Sequence, residues 1–347
     1  MSGRLRVGVI GAGWVAHQHL AGYRSVAGDV IEVTALCDPR ADVLADVAER
    51  FAVPRRFTSA RALIDSGEAD ALVLLTPPSV RQEIIEPALA ASLHLLVEKP
   101  FAASGSDAVG FVEAAESAGV TLAVSQNFRW FPEYQWLAQR LREPDAGTVE
   151  HLEARSFQDR PQAPGVWRAG ERKLEMAIYS VHLIDRLQWL AAAEPVAVTA
   201  LTRRGRDESL PGEQFTTLAV EFEGGAVARM TSSWKALGLP LQDVRVDTSR
   251  GSLHVARTQP MAGEAVATAE LGGGVESHRF DDDPADPRMA RSYGLSGREF
   301  AAAVLEGRAP SHSGRDNLRT MGIMEAAYLS AARSGAPVTI AEALGAP

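Results

Sequence analysis

Cysteine is nearly absent. Cys37 stands alone in 347 residues, so no disulfide can close within the chain and a reducing compartment is expected. Long apolar runs are missing too, and without about 18 consecutive apolar residues no membrane span is expected. Residues 1–16 imitate a secretory leader, with Arg4 and Arg6 before Val7–Ile10. However, Gly11, Gly13 and His17-Gln18-His19 break the run and no small-residue cleavage site follows. The expectation is a cytoplasmic protein. The net charge is −9 and the basic residues are scattered, which argues against a nucleic-acid partner. His151, His254 and His312 lack ligand spacing, so no metal site is expected, and no G-x-S-x-G elbow marks a serine hydrolase.

Lysine is also scarce: only Lys99, Lys173 and Lys235 occur among 35 basic residues. Lys99 lies in Glu98-Lys99-Pro100, at the end of an apolar run. Arginine keeps its proton in proteins, whereas a partly buried lysine is a compact donor that can take part in proton traffic. A chain that writes almost every cation as arginine therefore singles out Lys99 as a catalytic candidate.

The composition, 46% hydrophobic and 23% charged, is that of a globular protein, and the length predicts two domains. In the first third, short apolar runs (Leu5–Ile10, Val30–Cys37, Ala71–Leu75, His94–Val97, Thr121–Ser125) alternate with stretches of helical spacing. That pattern predicts an α/β domain over 1–123, a doubly wound parallel sheet covered on both faces. From about residue 124 the spacing changes to helices and alternating strands, with a hairpin signal at Gly224-Gly225. Residues 124–347 are expected to form an α/β domain with a large, mostly antiparallel sheet.

Gly11-Ala12-Gly13-Trp14-Val15-Ala16 follows the first strand and opens the first helix, fitting G-x-G-x-x-A. Gly11 permits the tight turn, Gly13 lets a pyrophosphate approach the backbone, and Ala16 lets helix and strand pack closely. Asp38 ends the second strand, where a carboxylate can hold the adenosine ribose diol. This favours NAD, while the nearby Arg40 leaves NADP open.

With these residues placed, the chain resembles the Gfo/Idh/MocA oxidoreductases, the family of glucose–fructose oxidoreductase and inositol 2-dehydrogenase. The likeness runs through Thr76-Pro77-Pro78, Glu98-Lys99-Pro100, Asn127-Phe128-Arg129, Trp167-Arg168 and His182-Leu183-Ile184-Asp185. It implies a Rossmann fold and NAD(P)-dependent hydride transfer on a sugar, cyclitol or related polyol. It adds Trp14, Val15, Thr76, Pro77, Glu98, Lys99 and Asn127 to the cofactor set. Arg129, Trp167 and Arg168 join Lys99, Glu175 and His182 toward substrate. Lys99 would polarise the reacting hydroxyl and His182 would exchange its proton, and the Lys99-Pro100 bond is often cis in relatives. The open sheet implies a homodimer or homotetramer.

The chain departs from that family in one region. Relatives carry an aspartate four residues before the histidine, one helical turn back; here the position is Ile178. Glycine two before the histidine is Ser180, and a Gly-rich turn is shortened to Glu171-Arg172-Lys173-Leu174. Either Glu175 or Tyr179 supplies the missing polar group, with Lys99 lowering the pKa of Tyr179 if that residue is the acid, or redox chemistry has been lost. Loss would leave a sugar-sensing regulator. A cofactor-retaining enzyme of elimination or epimerisation is a further alternative.

Overall fold

A computed structural model describes residues 3–162, 166–205, 210–259 and 263–345. The chain divides into two compact units, residues 1–130 with 283–318, and residues 131–282 with 319–347. This differs from a single boundary at 123/124, because one helix of the C-terminal half belongs with the first unit.

In the first unit six strands lie in the order β3-β2-β1-β4-β5-β6, all parallel. They are β1 (Leu5–Ile10), β2 (Ile31–Cys37), β3 (Arg55–Phe57), β4 (Ala71–Leu74), β5 (His94–Glu98) and β6 (Leu122–Ser125). Helices α1 (Trp14–Gly22), α2 (Ala41–Phe51), α3 (Ala60–Asp65), α4 (Gln82–Ala90) and α5 (Gly105–Ser117) alternate with them. This is the doubly wound order, whose ligand crevice opens at the strand carboxyl ends, where β1 and β4 part. Leu5, Val7, Val9, Ala71 and Val73 are buried on one face of the sheet and Ile10, Leu72 and Leu74 on the other, which is why the runs read as continuously apolar.

Helix α8 (Arg288–Glu306) returns to this unit and packs on α1, its Phe300 and Ala301 joining the same core. Two glycines explain the fit. A Cβ on Gly294 would lie 2.3 Å from the carbonyl oxygen of Gly22, and one on Gly22 would lie 2.1 Å from that of Ala290. Helix propensity alone would make Gly294→Ala stabilising by about 1 kcal/mol. Here the added methyl meets backbone, so Gly294→Ala is expected to destabilise by about 1–3 kcal/mol. Thermal melting decides the sign.

The second unit is built on nine strands in the order β14-β13-β12-β11-β7-β10-β9-β8-β15. These are β7 (Val149–Phe157), β8 (Pro195–Arg203), β9 (Phe215–Phe222), β10 (Val227–Ser233), β11 (Leu241–Thr248), β12 (Gly251–Arg257), β13 (Ala265–Leu271), β14 (Gly274–Phe280) and β15 (Val338–Thr339). Strands β7 and β10 pair in parallel and the other neighbours antiparallel. The expected hairpin joins β9 and β10, with Gly224 at φ 82° and Gly225 at φ 91°, values suited to glycine. Helix α6 (Pro132–Arg140) packs on β12 and β13, and α7 (Val181–Ala191) on β7 and β10. Leu152, Ala154 and Ser156 of β7 are buried, whereas Glu153 and Arg155 point outward. That outward face carries charge pairs, Arg155 with Asp243 and Arg245 with Asp247. Helices α9 (Gly314–Ala332) and α10 (Ile340–Leu344) complete the chain. Among the described residues no helix is long and apolar enough to cross a membrane.

Candidate active site

The turn after β1 has the form a dinucleotide requires. Gly11 sits at φ 106°, and a Cβ there would press on Leu75 at 3.1–3.2 Å, so glycine is needed for both conformation and space. Gly13 caps α1, and a Cβ built on it meets nothing within 4 Å, leaving the helix N-terminus open to a phosphate. Trp14 is exposed beside it and Val15 is half-buried. Asp38, at the end of β2, accepts from the Ala12 amide at 2.9 Å and is bound by Arg40 at 2.9 Å. Burial works to raise its pKa, but the bonds from Arg40 and Ala12 outweigh that and hold it lowered, so a carboxylate stands beside the glycine turn. The cradle and the carboxylate fit the pyrophosphate and ribose of NAD.

Lys99 follows β5 at the same carboxyl edge and is half-buried; the Lys99-Pro100 peptide is cis. The Glu98 side chain turns back to helix α1. His19 Nε2 lies 3.0 Å from Glu98 Oε1, and because a carboxylate only accepts, His19 donates. His19 Nδ1 meets Tyr23 Oη at 2.8 Å, and burial keeps the phenol protonated. Burial would also raise Glu98, yet the His19 bond and the charges of His19 and Lys99 hold it below the ordinary range. Thr76 and Pro77 follow β4 and are half-buried. Arg81 is 2% exposed and donates to the carbonyls of Thr76, Glu98 and Pro100.

In the second unit His182 is the second residue of α7 and is 4% exposed. The segment before it, Met176–Ser180, is a π-helical turn in which the Val181 amide donates to the Met176 carbonyl. The spacing from Ile178 to His182 therefore crosses a change from π to α geometry. Residues five apart stack across such a turn, and Ser180 Oγ donates to Glu175 Oε1 at 2.5 Å. Ser232 Oγ adds a bond at 2.6 Å. Glu175 is fully buried; desolvation is the largest influence, the serine bonds oppose it, and its pKa is pushed up to about 7. Tyr179 is buried as well, its hydroxyl accepting from Gln242 Nε2 at 3.2 Å, with Ser156 Oγ at 3.5 Å. Burial raises its pKa despite Arg186, Arg160 and Arg257 nearby, the opposite of the lowering expected for a catalytic tyrosine.

The remaining expected residues divide. Asn127 donates to Ser292 Oγ at 2.8 Å, and Arg129 pairs with Asp316 at 2.6 Å and reaches the Ser311 carbonyl. Their side chains are thus tied to other parts of the first unit. Trp167 is 45% exposed on a 3-10 turn, and Arg168 donates to Gln162 at 2.6 Å. Sequence reasoning passed over His19 and Arg81. It also passed over the buried Arg257–Glu133 pair at 2.9 Å and Arg186, whose guanidinium lies 4.0 Å over the Tyr134 ring. Only the placement of His19 on the buried side of α1, between Ala16 and Tyr23, left a trace. Among the described residues no group of three His, Cys, Asp or Glu could hold a metal.

Residues 5–126 match the model of the oxidoreductase family with an NAD-binding Rossmann fold, and residues 134–254 match the GFO/IDH/MocA C-terminal domain. The chain belongs to the Gfo/Idh/MocA family. As a member it is an NAD-dependent oxidoreductase of the dehydrogenase type. A curated relative in this family, D-apiose dehydrogenase of Paraburkholderia graminis, is 28% identical over 97% of this chain and 90% of that protein. In fold the chain is similar to an oxidoreductase from Agrobacterium radiobacter solved with NAD+, L-tartaric acid and magnesium. The TM-score is 0.87 at 23% identity, covering 98% of this chain and 99% of the other. Levoglucosan dehydrogenase, solved with NADH and levoglucosan, gives 0.85 at 20% identity, covering 97% and 100%.

Proposed function

We propose that this protein transfers a hydride between NAD and a secondary alcohol or ketone of a sugar, cyclitol or related polyol, with Lys99 and His182 as the proton-handling groups. The observation that carries this reading is a half-buried lysine fixed at the carboxyl edge of the sheet that bears the glycine turn and Asp38. Gly11, Gly13, Asp38, Thr76 and Pro77 would hold the dinucleotide. Nicotinamide, when bound, supplies the hydride acceptor or donor. Lys99 donates a hydrogen bond to the reacting oxygen and stabilises its developing negative charge. His182 takes the hydroxyl proton in oxidation and returns it in reduction.

Relatives named for apiose, inositol and levoglucosan support the polyol class. Self-association through the open face of the large sheet belongs to the same reading and is measured by sedimentation. The test of function is a panel of aldoses, cyclitols and sugar acids with NAD+, followed at the reduced-nicotinamide absorbance band. One or more should give a steady rise. Ile178 favours a second reading, a sensor that binds NAD and sugar without turnover; NAD binding with a flat absorbance across the panel would support it.

A further inference from the structure

We propose that Arg81 is the positioning residue of Lys99, fixing where its ammonium is presented. This rests on the reading of Lys99 as the group that contacts the reacting oxygen. Nη1 of Arg81 donates to the Glu98 carbonyl at 2.5 Å and to that of Pro100, the peptide oxygens on either side of Lys99. Nε and Nη2 donate to the Thr76 carbonyl at 3.0 and 2.5 Å. One guanidinium thus ties the segment around Lys99 to the loop after β4.

The bonding is unusual for so buried a cation. Arg81 is 2% exposed, and its hydrogen-bond acceptors are all backbone carbonyls. A planar fork with donors in fixed directions can span three carbonyls; a lysine ammonium is a point donor on a flexible stem and cannot replace it. A second tether acts on the same segment, since the Glu98 side chain is held by His19 on α1, the helix that Gly13 caps. Lys99 is therefore flanked by two backbone clamps and one side-chain clamp, all buried, while its own side chain is left half-exposed.

The chain's lysine scarcity supplies a readout that needs no substrate. In competitive amine acetylation followed by peptide mass spectrometry, Lys173, paired with Glu325 at 2.6 Å, and Lys235 serve as internal references. Arg81→Met and Arg81→Lys are each expected to raise the labelling rate of Lys99 relative to Lys173 at least threefold, with Lys235 unchanged. With a substrate from the panel, kcat should fall about 10- to 100-fold, the range a misplacement of about 1 Å produces, with NAD affinity kept within threefold.

An unchanged Lys99 rate in folded variants would overturn the proposal, as would full rescue by Arg81→Lys, which would assign the effect to charge alone. A parallel rise at all three lysines would also overturn it. If Arg81→Met does not fold, Arg81→Lys and Arg81→Gln carry the test; failure of all three to fold assigns Arg81 to stability only. The labelling result is independent of turnover. A Lys99→Met enzyme that remains active would reject the functional reading, whereas unmoved labelling beside an inactive Lys99→Met would reject the clamp alone.

Discussion

Lys99→Met is expected to lower kcat by about 10²- to 10⁴-fold, the usual contribution of a positioned proton-transfer group. NAD affinity should change little. The glycine turn and Asp38 are supplied by β1, α1 and β2, none of which depends on the lysine head group. Methionine keeps the length and apolar stem of lysine and removes the ammonium. Glu98 then loses one of the charges that lower its pKa but keeps the His19 bond, so the fold should persist. Parallel measurement of NAD binding by quenching of tryptophan fluorescence and of turnover separates the outcomes. Retained turnover would place the proton chemistry elsewhere. Loss of both would mean that Lys99 holds the cofactor rather than acting on the alcohol.

The nucleotide half was legible because its signals are local. Tight-turn glycines, a carboxylate at the end of the second strand and double-faced apolar strands all arise within about 40 residues. The structure places β1, α1, β2 and α2 where those signals put them. Strand β3 and helix α3 escaped notice, since Arg55–Phe57 is too short and too exposed to show a period. Strands β7, β13 and β14 were missed for a different reason: one face of each alternates charged or small residues, so their hydrophobic contrast is weak.

The docking of α8 on α1 depends on Gly22 meeting Gly294, and no spacing in a single sequence announces such a pair. The same holds for His19 with Glu98, 79 residues apart. The π turn before His182 was hidden because a period of 3.6 was assumed through it. Glu175, one of the two residues expected to replace the aspartate missing at Ile178, is the buried acid of that segment.

Glu175→Gln is accordingly expected to stabilise the protein at alkaline pH and not at acid pH. In the unfolded chain Glu175 titrates near the ordinary value of about 4.3, while in the fold burial and the charge of Glu213 raise it to about 7 against the serine bonds. Between those values the folded form holds a proton that the unfolded form has released. Its contribution is therefore present below the lower value and is lost as pH rises through the upper one. Above pH 7 the fold must carry a buried anion whose Oε2 has no hydrogen-bond partner among the described residues. Glutamine keeps the shape and an oxygen to accept from Ser180 and Ser232, without the charge. By the 1.36 kcal/mol that accompanies each pKa unit, the gain at pH 8.5 should be about 3 kcal/mol, or a melting temperature higher by roughly 6–12 °C. Near pH 5 the two proteins should melt within about 2 °C of each other, because wild-type Glu175 is then neutral when folded. Equal gains at both pH values would show that the acid is ionised throughout, held by its serines as a true carboxylate. A gain confined to alkaline pH would identify a neutral acid inside the turn that presents His182.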